Sequence, residues 1–391
     1  MAIYLISFGI SCFFIKISET FKKNKKICFL LVIIGLLIPC LLAGMRNYKV
    51  GTDVNEYVKP MFNSALNSNG YNDYLSKHWY GYRNKVRSVD EFEIGFRFLI
   101  YFVAKITANL QVLLFIIQLI IVLPIYYGLK KFKSLDNKVW FGMLVFYFMF
   151  YNITLNAIRQ FMVVSIMFWA SSSLINDKNN RGKLRFFISL IISVFIHTSA
   201  LLAILLYLIY LFINRENKNT KVIRLSQYVI PLNKVLTYAI IILGTIIIMN
   251  SSVLVKLLNV LNLESYSNYI EGEVTFVKSS LLKILPILIL LILVGKDFVK
   301  RYKNAYFLIL MFAIDCLLTQ FGSVSTYAGR IGYMFAVFNV AFFTKLANSN
   351  KNRSTSILIN VALVVYMLFY WYYNFAVIGR GATVPYIFYK K

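Results

Sequence analysis

The chain has 391 residues, of which 59% are hydrophobic and only 15% are charged, and its mean hydropathy is +0.68. A soluble domain usually carries about 25% charged residues, so this composition argues against a soluble protein and indicates an integral membrane protein. The formal net charge of +27 would also fit a nucleic-acid-binding protein. However, most Lys and Arg residues stand in short links between apolar runs, which is the positive-inside pattern of membrane proteins, and we expect no nucleic-acid partner.

Recurring apolar runs predict the fold class. The runs are about 16 to 22 residues long and rich in Leu, Ile, Phe and Val, which indicates spanning helices rather than barrel strands. With the basic links in the cytoplasm, the sequence predicts an all-α, polytopic transmembrane helical bundle of about 12 spans, in one integral membrane domain, 1–391. The predicted cytoplasmic links are Lys16–Lys26, Lys130–Lys138, Lys178–Arg185, Arg215–Lys234, Lys296–Lys303 and Lys345–Arg353. The predicted spans are 2–18, 27–45, 111–129, 139–153, 156–175, 184–196, 198–213, 235–250, 280–295, 305–321, 328–347 and 356–375.

Two stretches need a separate interpretation under this topology. Residues 93–108 would move the next basic link to the outside if they crossed the membrane, so we predict that they lie in the interface or dip into it. Residues 184–213 are flanked by basic links on both sides, which predicts two short helices that bend near His197. The predicted external segments are 46–92, 251–279 and 376–391.

Four ionisable side chains fall near the predicted external rim: Arg46, Arg159, His197 and Arg330. Charged groups at the ends of membrane spans are costly unless they have a function or a partner. The charge pattern that set the topology did not require these residues to share one side. Their convergence therefore predicts a functional site on the external face.

The longest polar segment begins with RNYKVGTDVNEY, from Arg46 to Tyr57. It offers a cation, the carboxylate of Asp53 and an aromatic hydroxyl, which suit a substrate that is both anionic and sugar-like. Asp53 is predicted to be a general base or a ligand of sugar hydroxyls. The alternative is an Asx turn, because Asp53 follows a Gly-Thr pair.

Two further arginines are candidate phosphate ligands. Asn156, Arg159 and Gln160 have the spacing of one helix face, and the guanidinium of Arg159 has the planar fork that binds phosphate. The alternative is that Arg159 reaches lipid headgroups without binding substrate. Arg330 lies between two glycines that permit close backbone approach, and its alternative role is that of an interfacial anchor.

The remaining polar candidates also have two interpretations each. His197 stands in an apolar setting and is either a general base or substrate donor, or a structural residue that binds a backbone carbonyl. Glu93 is either catalytic or paired with Arg97, four residues on. Asp315 is either functional or the buried partner of an Arg. His78, in the sequence SKHWYGYRNK, is predicted to belong to an aromatic surface that stacks on sugars rather than to a metal site.

No cofactor is expected. The sequence contains no G-x-x-x-x-G-K-[ST], H-E-x-x-H, G-x-S-x-G or D-x-D, so nucleotide hydrolysis, zinc proteolysis and nucleotide-sugar transfer have no motif to support them. The cysteines lie in apolar runs without C-x-x-C spacing, so neither a disulfide framework nor a zinc site is predicted. We predict no metal site, although external carboxylates leave a divalent cation as the alternative.

Short motifs occur in a characteristic order along the whole chain: R-x4-G-T-D-x3-Y at Arg46–Tyr57, E-x-G at Glu93–Gly95, the pair Arg159–Gln160, His-Thr-Ser-Ala at 197–200, and Arg330. In this order the chain resembles the EpsG-like branch of the Wzy family of polysaccharide polymerases. The first of these motifs is the most specific. The stretch from 93 to 129 departs from the family pattern, because the sequence does not specify how many times this stretch crosses the membrane.

The resemblance implies a bacterial plasma-membrane glycosyltransferase of the broad GT-C type, with its active site on the external side. In such an enzyme the growing glycan leaves undecaprenyl pyrophosphate and passes to a sugar hydroxyl of a new lipid-linked repeat unit, in capsule or exopolysaccharide synthesis. A flippase and a chain-length regulator of the same pathway are implied partners. The resemblance carries over eight residues by position, and the roles within this set are our own prediction. We predict that Asp53, Glu93 and His197 are catalytic and that Arg46, Tyr57, Arg159, Gln160 and Arg330 bind the substrate.

This chemistry agrees with the residue types. A pyrophosphate leaving group supplies its own energy, so the enzyme needs cations for the developing charge and a base for the acceptor hydroxyl. Arg159 and Arg330 suit the first task, and Asp53 or His197 suits the second. A lipid-glycan flippase is one alternative, although it is expected to carry basic residues through the whole membrane depth. A glycan ligase or membrane acyltransferase is the other.

Overall fold

A computed structural model describes residues 1–132, 138–176, 181–216, 222–225, 228–231, 256, 280–323, 328–350 and 352–390. The chain divides into two compact units, one formed by Met1–Leu201 with Asn360–Lys391 and the other by Leu202–Ile359. All candidate site residues from Arg46 to His197 belong to the first unit. Arg330 belongs to the second.

Helices dominate both units. The helices that begin in the first unit are α1 (Ala2–Thr20), α2 (Lys25–Gly44), α3 (Lys59–Leu66), α4 (Tyr71–Leu75), α5 (Ile94–Thr107), α6 (Leu110–Lys131), α7 (Val139–Phe146), α8 (Asn152–Thr154), α9 (Ile158–Asn176) and α10 (Arg181–Ile196). The later helices are α11 (Ala203–Glu216), α12 (Leu281–Arg301), α13 (Ala305–Leu318), α14 (Tyr333–Ala336), α15 (Asn339–Leu346) and α16 (Arg353–Trp371). Short π-helices cover Val54–Val58 and Tyr147–Tyr151. Two antiparallel hairpins pair β1 (His78–Tyr80) with β2 (Val86–Ser88), and β3 (Val222–Leu225) with β4 (Tyr228–Pro231).

The all-α membrane class predicted from hydropathy is confirmed. Within the described residues, five helices are long and apolar enough to span a membrane, namely Ala2–Thr20, Lys25–Gly44, Leu110–Lys131, Ile158–Asn176 and Arg353–Val377. Shorter apolar helices at Val139–Thr154, Thr198–Ile213 and Ala305–Leu318 coincide with three further predicted spans. The predicted span 328–347 is instead broken into a 3₁₀ segment, α14 and α15. The predicted span 235–250 and loop 251–279 lie outside the described residues, apart from Lys256, and the total of 12 spans stays a prediction.

The first unit is a helical bundle in which α1 packs on α2 and α7, α2 on α6, and α6 and α10 on α9. Small residues allow the close approach: a Cβ atom at Gly35 would lie 3.0 Å from the carbonyl oxygen of Ser11. The hydroxyl of Ser11 donates to the Gly35 carbonyl at 2.6 Å and lies 2.8 Å from the hydroxyl of Tyr147. The hydroxyl of Ser11 is therefore satisfied by a neighbouring helix, as a lipid-embedded polar group requires.

The basic links of the first unit lie at the bundle end opposite to the candidate site. Glu19, near the end of α1, accepts a hydrogen bond from the backbone N–H of Val139, which begins α7. Gly128, near the end of α6, lies against Phe168, in the second half of α9. The chain therefore alternates between two ends, and one of them carries the basic groups Lys22–Lys26, Lys130–Lys131 and Arg181–Arg185. This agrees with the positive-inside pattern inferred from the sequence.

The segment after α2 is folded rather than extended. The π-helix Val54–Val58 continues into α3, and β1 pairs with β2 so that Trp79 faces Arg87 and Tyr80 faces Val86. The following helix, α5, has 14 residues and is about 21 Å long. Because a bilayer core is about 30 Å thick, α5 is too short to cross it, which agrees with the predicted interfacial placement of 93–108.

The second unit contains a buried ion pair. Asp315 on α13 and Lys283 on α12 form a salt bridge, and Asn339 on α15 donates a hydrogen bond to Asp315 Oδ2 at 2.7 Å. Asp315 is 2% exposed and Lys283 is 8% exposed. The sequence suggested an Arg as the buried partner of Asp315, and this was wrong, because the partner is a lysine. The paired carboxylate connects three apolar helices, and burying it costs less free energy than burying an isolated charge.

Candidate active site

Glu93 is the centre of a cluster that joins three separate elements of the first unit. Its Oε1 lies 2.7 Å from Nδ1 of His197 and accepts the backbone N–H of Thr198 at 3.1 Å. Its Oε2 accepts a hydrogen bond from Nη1 of Arg159 at 2.5 Å. The structure thus brings together Glu93, Arg159 and His197, which the sequence singled out one at a time.

The backbone around Glu93 explains how these residues meet. Glu93 is the N-cap of α5 and has extended dihedral angles, φ −63° and ψ 144°, so it precedes the helix. Two residues later, a Cβ atom at Gly95 would lie 2.7 Å from the carbonyl oxygen of Phe195, so only glycine permits this approach to the end of α10. His197 follows α10 directly. The alternative pairing of Glu93 with Arg97 is wrong, because the carboxylate binds Arg159 and His197 instead.

The charge on Glu93 fixes the tautomer of His197. Burial alone would raise the pKa of Glu93, but the hydrogen bond with His197 and the positive charge of Arg159 lower that pKa to about 2. An ionised carboxylate can only accept, so the shared proton belongs to Nδ1 of His197. In the neutral imidazole, Nε2 then carries the lone pair, and no described residue forms a hydrogen bond with it. His197 is therefore oriented to accept a proton through Nε2.

Arg159 is held by a carboxylate on one side and by aromatic rings on the other. Its guanidinium carbon lies 4.6 Å from the ring centre of Phe92, 5.2 Å from that of Tyr57 and 5.8 Å from that of Phe96. The side chain is only 19% exposed, and its buried Nε has no hydrogen-bond acceptor among the described residues. Such a fixed planar cation with an N–H donor available is suited to an anionic oxygen.

Asp53 connects the polar segment to the helix that carries Arg159. Its Oδ2 accepts hydrogen bonds from the hydroxyl of Tyr57 at 2.5 Å and from the backbone N–H of Ile158, the first residue of α9, at 3.2 Å. A carboxylate at a helix N-terminus is stabilised by the helix dipole. Burial and the charge of Asp53 raise the pKa of Tyr57 well above its usual value, so Tyr57 stays a neutral donor.

The Gly-Thr pair before Asp53 docks on the turn before α9. The backbone N–H and the hydroxyl of Thr52 both donate to Oδ1 of Asn156, at 2.9 and 2.5 Å. Gly51 has φ +86°, and a Cβ atom there would lie 2.3 Å from the carbonyl oxygen of Leu155. The prediction that Asn156 shares a helix face with Arg159 is wrong, because Asn156 precedes α9 and anchors Thr52 instead.

Arg46 lies beneath the C-terminal tail rather than on an open rim. Its backbone forms a bridge with Phe388, while the Asn47 N–H donates to the Ile387 carbonyl and the Tyr389 N–H donates to the Met45 carbonyl. The Arg46 side chain is 2% exposed, and its Nε and Nη1 have no hydrogen-bond partner among the described residues. Sequence analysis predicted only that the tail is an external segment, and the aromatic residues that alternate after Pro385, Tyr386 and Phe388, were the available signal.

The surroundings of Arg46 are aromatic. Burial lowers the pKa of Arg46, and this is opposed by the neighbouring groups of Tyr151, Tyr4, Tyr386 and Asp53. The arginine still remains charged at any physiological pH, because its intrinsic pKa is so high. The first unit therefore contains an internal positive charge close to the polar segment that carries Asp53.

The other two predicted site residues are Gln160 and Arg330. Gln160 follows Arg159 on α9 and is half-buried. Arg330 is half-buried in the 3₁₀ segment Ala328–Gly332 of the second unit, so its predicted role beside Arg159 stays a prediction. In the parts of the chain that the structure covers, no group of three or more His, Cys, Asp or Glu side chains could hold a metal ion.

Comparisons with known proteins give one match. The model of the EpsG family matches residues 26–388, which is nearly the whole chain. The matched region includes every residue of the Glu93 cluster, the Arg46–Tyr57 segment and most of the tail. No curated protein and no solved structure matches the chain. Because the match extends over far more than half of its length, the protein belongs to the EpsG family, and this membership indicates a polysaccharide polymerase of the membrane.

Proposed function

We propose that this protein polymerises lipid-linked polysaccharide repeat units, as a glycosyltransferase of the broad GT-C type. The growing glycan would be transferred from undecaprenyl pyrophosphate to a sugar hydroxyl of a new repeat unit, at the outer face of the plasma membrane. The observation that carries the proposal is the position of the Glu93 carboxylate between His197 and Arg159. It puts an oriented base and a fixed cation within one site.

His197 is proposed as the general base. Its Nε2 takes the proton from the acceptor hydroxyl while that oxygen forms a bond to the anomeric carbon of the growing glycan. The bond from the anomeric carbon to the pyrophosphate oxygen breaks, and its electron pair leaves with the lipid pyrophosphate. Glu93 holds Nδ1 at 2.7 Å and stabilises the imidazolium that forms. Of the two bases that the sequence left open, Asp53 is better suited to positioning, because its Oδ2 already accepts two hydrogen bonds.

Arginine side chains are proposed to bind the pyrophosphate. Arg159 has a buried Nε without an acceptor among the described residues, and the same is true of Nε and Nη1 in Arg46. A buried N–H donor without an acceptor costs free energy, so such donors in two site arginines support an anionic ligand. Arg330 and Gln160 are proposed as further substrate contacts. Two cations near a departing pyrophosphate stabilise charge that develops in the transition state.

The external location is proposed from the distribution of charge. Basic links occupy one end of the first unit, and the Glu93 cluster occupies the other. If the basic end faces the cytoplasm, the site opens toward the outer leaflet. Lipid-linked repeat units that have crossed the membrane would then reach the site directly.

The decisive experiment follows the lipid-linked intermediates in a deletion strain. We expect the strain to accumulate single repeat units on undecaprenyl pyrophosphate at the outer face. The Glu93→Gln variant should not restore polymer, because a neutral amide cannot stabilise the imidazolium of His197. Lipid extraction and sizing of the glycan measure both results.

A matched variant controls for loss of a carboxylate. Asp73 lies in the same segment and, among the described residues, pairs with Lys77 and with the backbone N–H of Asn69, so Asp73→Asn should restore polymer of normal length. If the deletion strain still makes full-length polymer, polymerisation belongs to another protein. If the repeat units remain on the cytoplasmic side, the protein is a flippase.

A further inference from the structure

The two most exposed aromatic rings among the described side chains belong to the β1–β2 hairpin. Tyr80 is 78% exposed and Tyr82 is 72% exposed, whereas the next aromatic residue, Phe29, is 63% exposed. Phe29 lies on the apolar helix α2, where lipid can cover it. The two tyrosines instead stand in a polar hairpin, where an exposed ring needs a different explanation.

The hairpin is fixed to the helix that carries Asp53 and Tyr57. The backbone N–H of Tyr82 donates to both carboxylate oxygens of Glu56, at 3.2 and 3.0 Å, and the indole N–H of Trp79 donates to the Glu56 carbonyl at 3.0 Å. Gly81 permits this contact, because a Cβ atom there would lie 2.7 Å from Glu56 Oε1. The rings are therefore presented by a well-anchored turn and need no folding step before they bind a ligand.

A stack of rings connects the hairpin to the Glu93 cluster. The indole of Trp79 stacks on Phe92 with ring centres 6.0 Å apart and an angle of 26° between the planes. The guanidinium of Arg159 lies 4.6 Å from the centre of the same Phe92 ring. Phe92 is also the residue before Glu93. A row of two rings, Trp79 and Phe92, thus links the hairpin to Arg159.

The chemistry beside the tyrosines is that of a hydrated surface. Arg87 and Glu91 form an exposed ion pair at 2.7 Å, and Asp90 is fully exposed next to them. Sugars combine an apolar C–H face with a rim of hydroxyls, so they fit rings that are flanked by charged hydrogen-bonding groups. Insertion of the two rings into the bilayer is disfavoured, because it would bring these charged groups into the hydrocarbon region.

We propose that Tyr80 and Tyr82 form a saccharide-binding subsite, which holds the glycan by ring stacking beside the Glu93 cluster. This rests on the proposed function in that the glycan is the substrate of the same site. The subsite keeps a sugar chain close to the reacting groups between successive additions. It extends the sugar-stacking role that the sequence suggested for the segment around His78 to two specific rings.

The test measures binding without turnover. Full-length protein in lipid nanodiscs is titrated with oligosaccharides of one to four repeat units, released by mild acid from the cells' own surface polysaccharide. Without pyrophosphate these probes cannot react. Tyr80→Ala and Tyr82→Ala should each weaken binding by about tenfold, while Tyr80→Trp and Tyr82→Trp should retain it. Tyr127→Ala removes another exposed tyrosine, 46% exposed on α6, and should leave binding unchanged.

Three results would overturn the subsite. The first is wild-type protein that binds none of the oligosaccharides, and the second is a pair of well-folded alanine variants that bind as wild type does. The third concerns a spin label at Tyr82→Cys, in protein whose native cysteines are replaced. We expect this label to be accessible to a water-soluble nickel chelate. If it is accessible to oxygen dissolved in the bilayer instead, the rings are a membrane anchor. A failure of the proposed function gives a different result: the Glu93→Gln variant makes polymer, while the wild-type protein still binds the oligosaccharides.

Discussion

At the scale of single residues, the guanidinium of Arg159 makes contacts that an ammonium group cannot reproduce. It donates from Nη1 to Glu93, and its carbon lies 4.6 Å from the ring centre of Phe92 and 5.2 Å from that of Tyr57. Arg159→Lys keeps the positive charge but loses the planar fork. We expect the rate of polymer synthesis to fall by about 10²-fold or more, by analogy with the loss of one donor that stabilises a transition state.

The control for this prediction is a conservative change far from the site. Arg181 is exposed at the start of α10, at the opposite end of the bundle. Arg181→Lys should leave both the amount of protein in the membrane and the length of the polymer unchanged. Normal polymer from well-expressed Arg159→Lys would mean that the fork is not needed, and Arg159 would then be only a structural partner of Glu93.

The ionisation of Glu93 gives a prediction for stability against pH. Its pKa is lowered from 4.5 to about 2 in the folded protein. A carboxyl group with a lowered pKa stabilises the fold above its unfolded pKa, and it loses this contribution as the pH falls through the folded value. The difference in thermal midpoint between wild type and Glu93→Gln should therefore shrink as the pH falls from 4.5 toward 2. A difference that stays the same over this range would contradict the Glu93 assignment.

The sequence identified the residues of this site better than their partners. Glu93, Arg159 and His197 were each predicted, but Glu93 was also considered a partner of Arg97, as the helical spacing of four residues suggests. The N-cap conformation of Glu93 removes that pairing, because the residue stands outside the helix. Likewise, Asn156 was assigned to a helix that begins only at Ile158. Helix boundaries are poorly specified by local sequence, and here they decide which side chains meet.

At the scale of elements, the approach of α5 to α10 depends on Gly95. A Cβ atom there would lie 2.7 Å from the carbonyl oxygen of Phe195, which is backbone and cannot move aside cheaply. Gly95→Ala should separate the start of α5 from the end of α10 and weaken the contact between Glu93 and His197. We expect severe loss of polymer, measured by sizing of extracted glycan.

Gly9→Ala is the matched control, because a Cβ placed at Gly9 on α1 would meet no neighbouring part of the described chain within 4 Å. This variant should polymerise normally, and its level in the membrane should match the wild type. The level of Gly95→Ala is measured alongside, to separate loss of the site from loss of the protein. Full activity of Gly95→Ala would show that the two helices tolerate a wider separation than the Glu93 contacts suggest.

The tail illustrates what local sequence could not predict at this scale. Its backbone pairs with residues next to Arg46, and Thr383 accepts hydrogen bonds from the Tyr4 hydroxyl and the Asn152 amide. These contacts join residues hundreds of positions apart. No periodicity or turn signal within one segment specifies such a partner, so the sequence placed the tail outside the membrane and went no further.

At the scale of the whole molecule, hydropathy predicted the class of fold more reliably than the number of spans. Long apolar runs became helices because the bilayer offers no partner for open backbone groups. The run 328–347 nevertheless breaks into several short pieces, and 93–108 forms a helix too short to cross. Composition registers the hydrophobicity of such stretches, whereas their breaks depend on packing within the folded chain.

The distribution of charge over the first unit predicts its orientation in the membrane. Asn69 is exposed in the segment that leads to the hairpin, and Lys23 is exposed in the basic turn between α1 and α2, at the other end of the bundle. Single cysteines at these positions, in a background with the native cysteines replaced, should behave differently toward a membrane-impermeant thiol reagent. On intact cells the reagent should label Asn69→Cys and leave Lys23→Cys unlabelled until the membrane is permeabilised, because basic ends stay in the cytoplasm. Labelling of Lys23→Cys with protection of Asn69→Cys would reverse the orientation, and with it the proposal that Glu93 and His197 meet their substrate at the outer face.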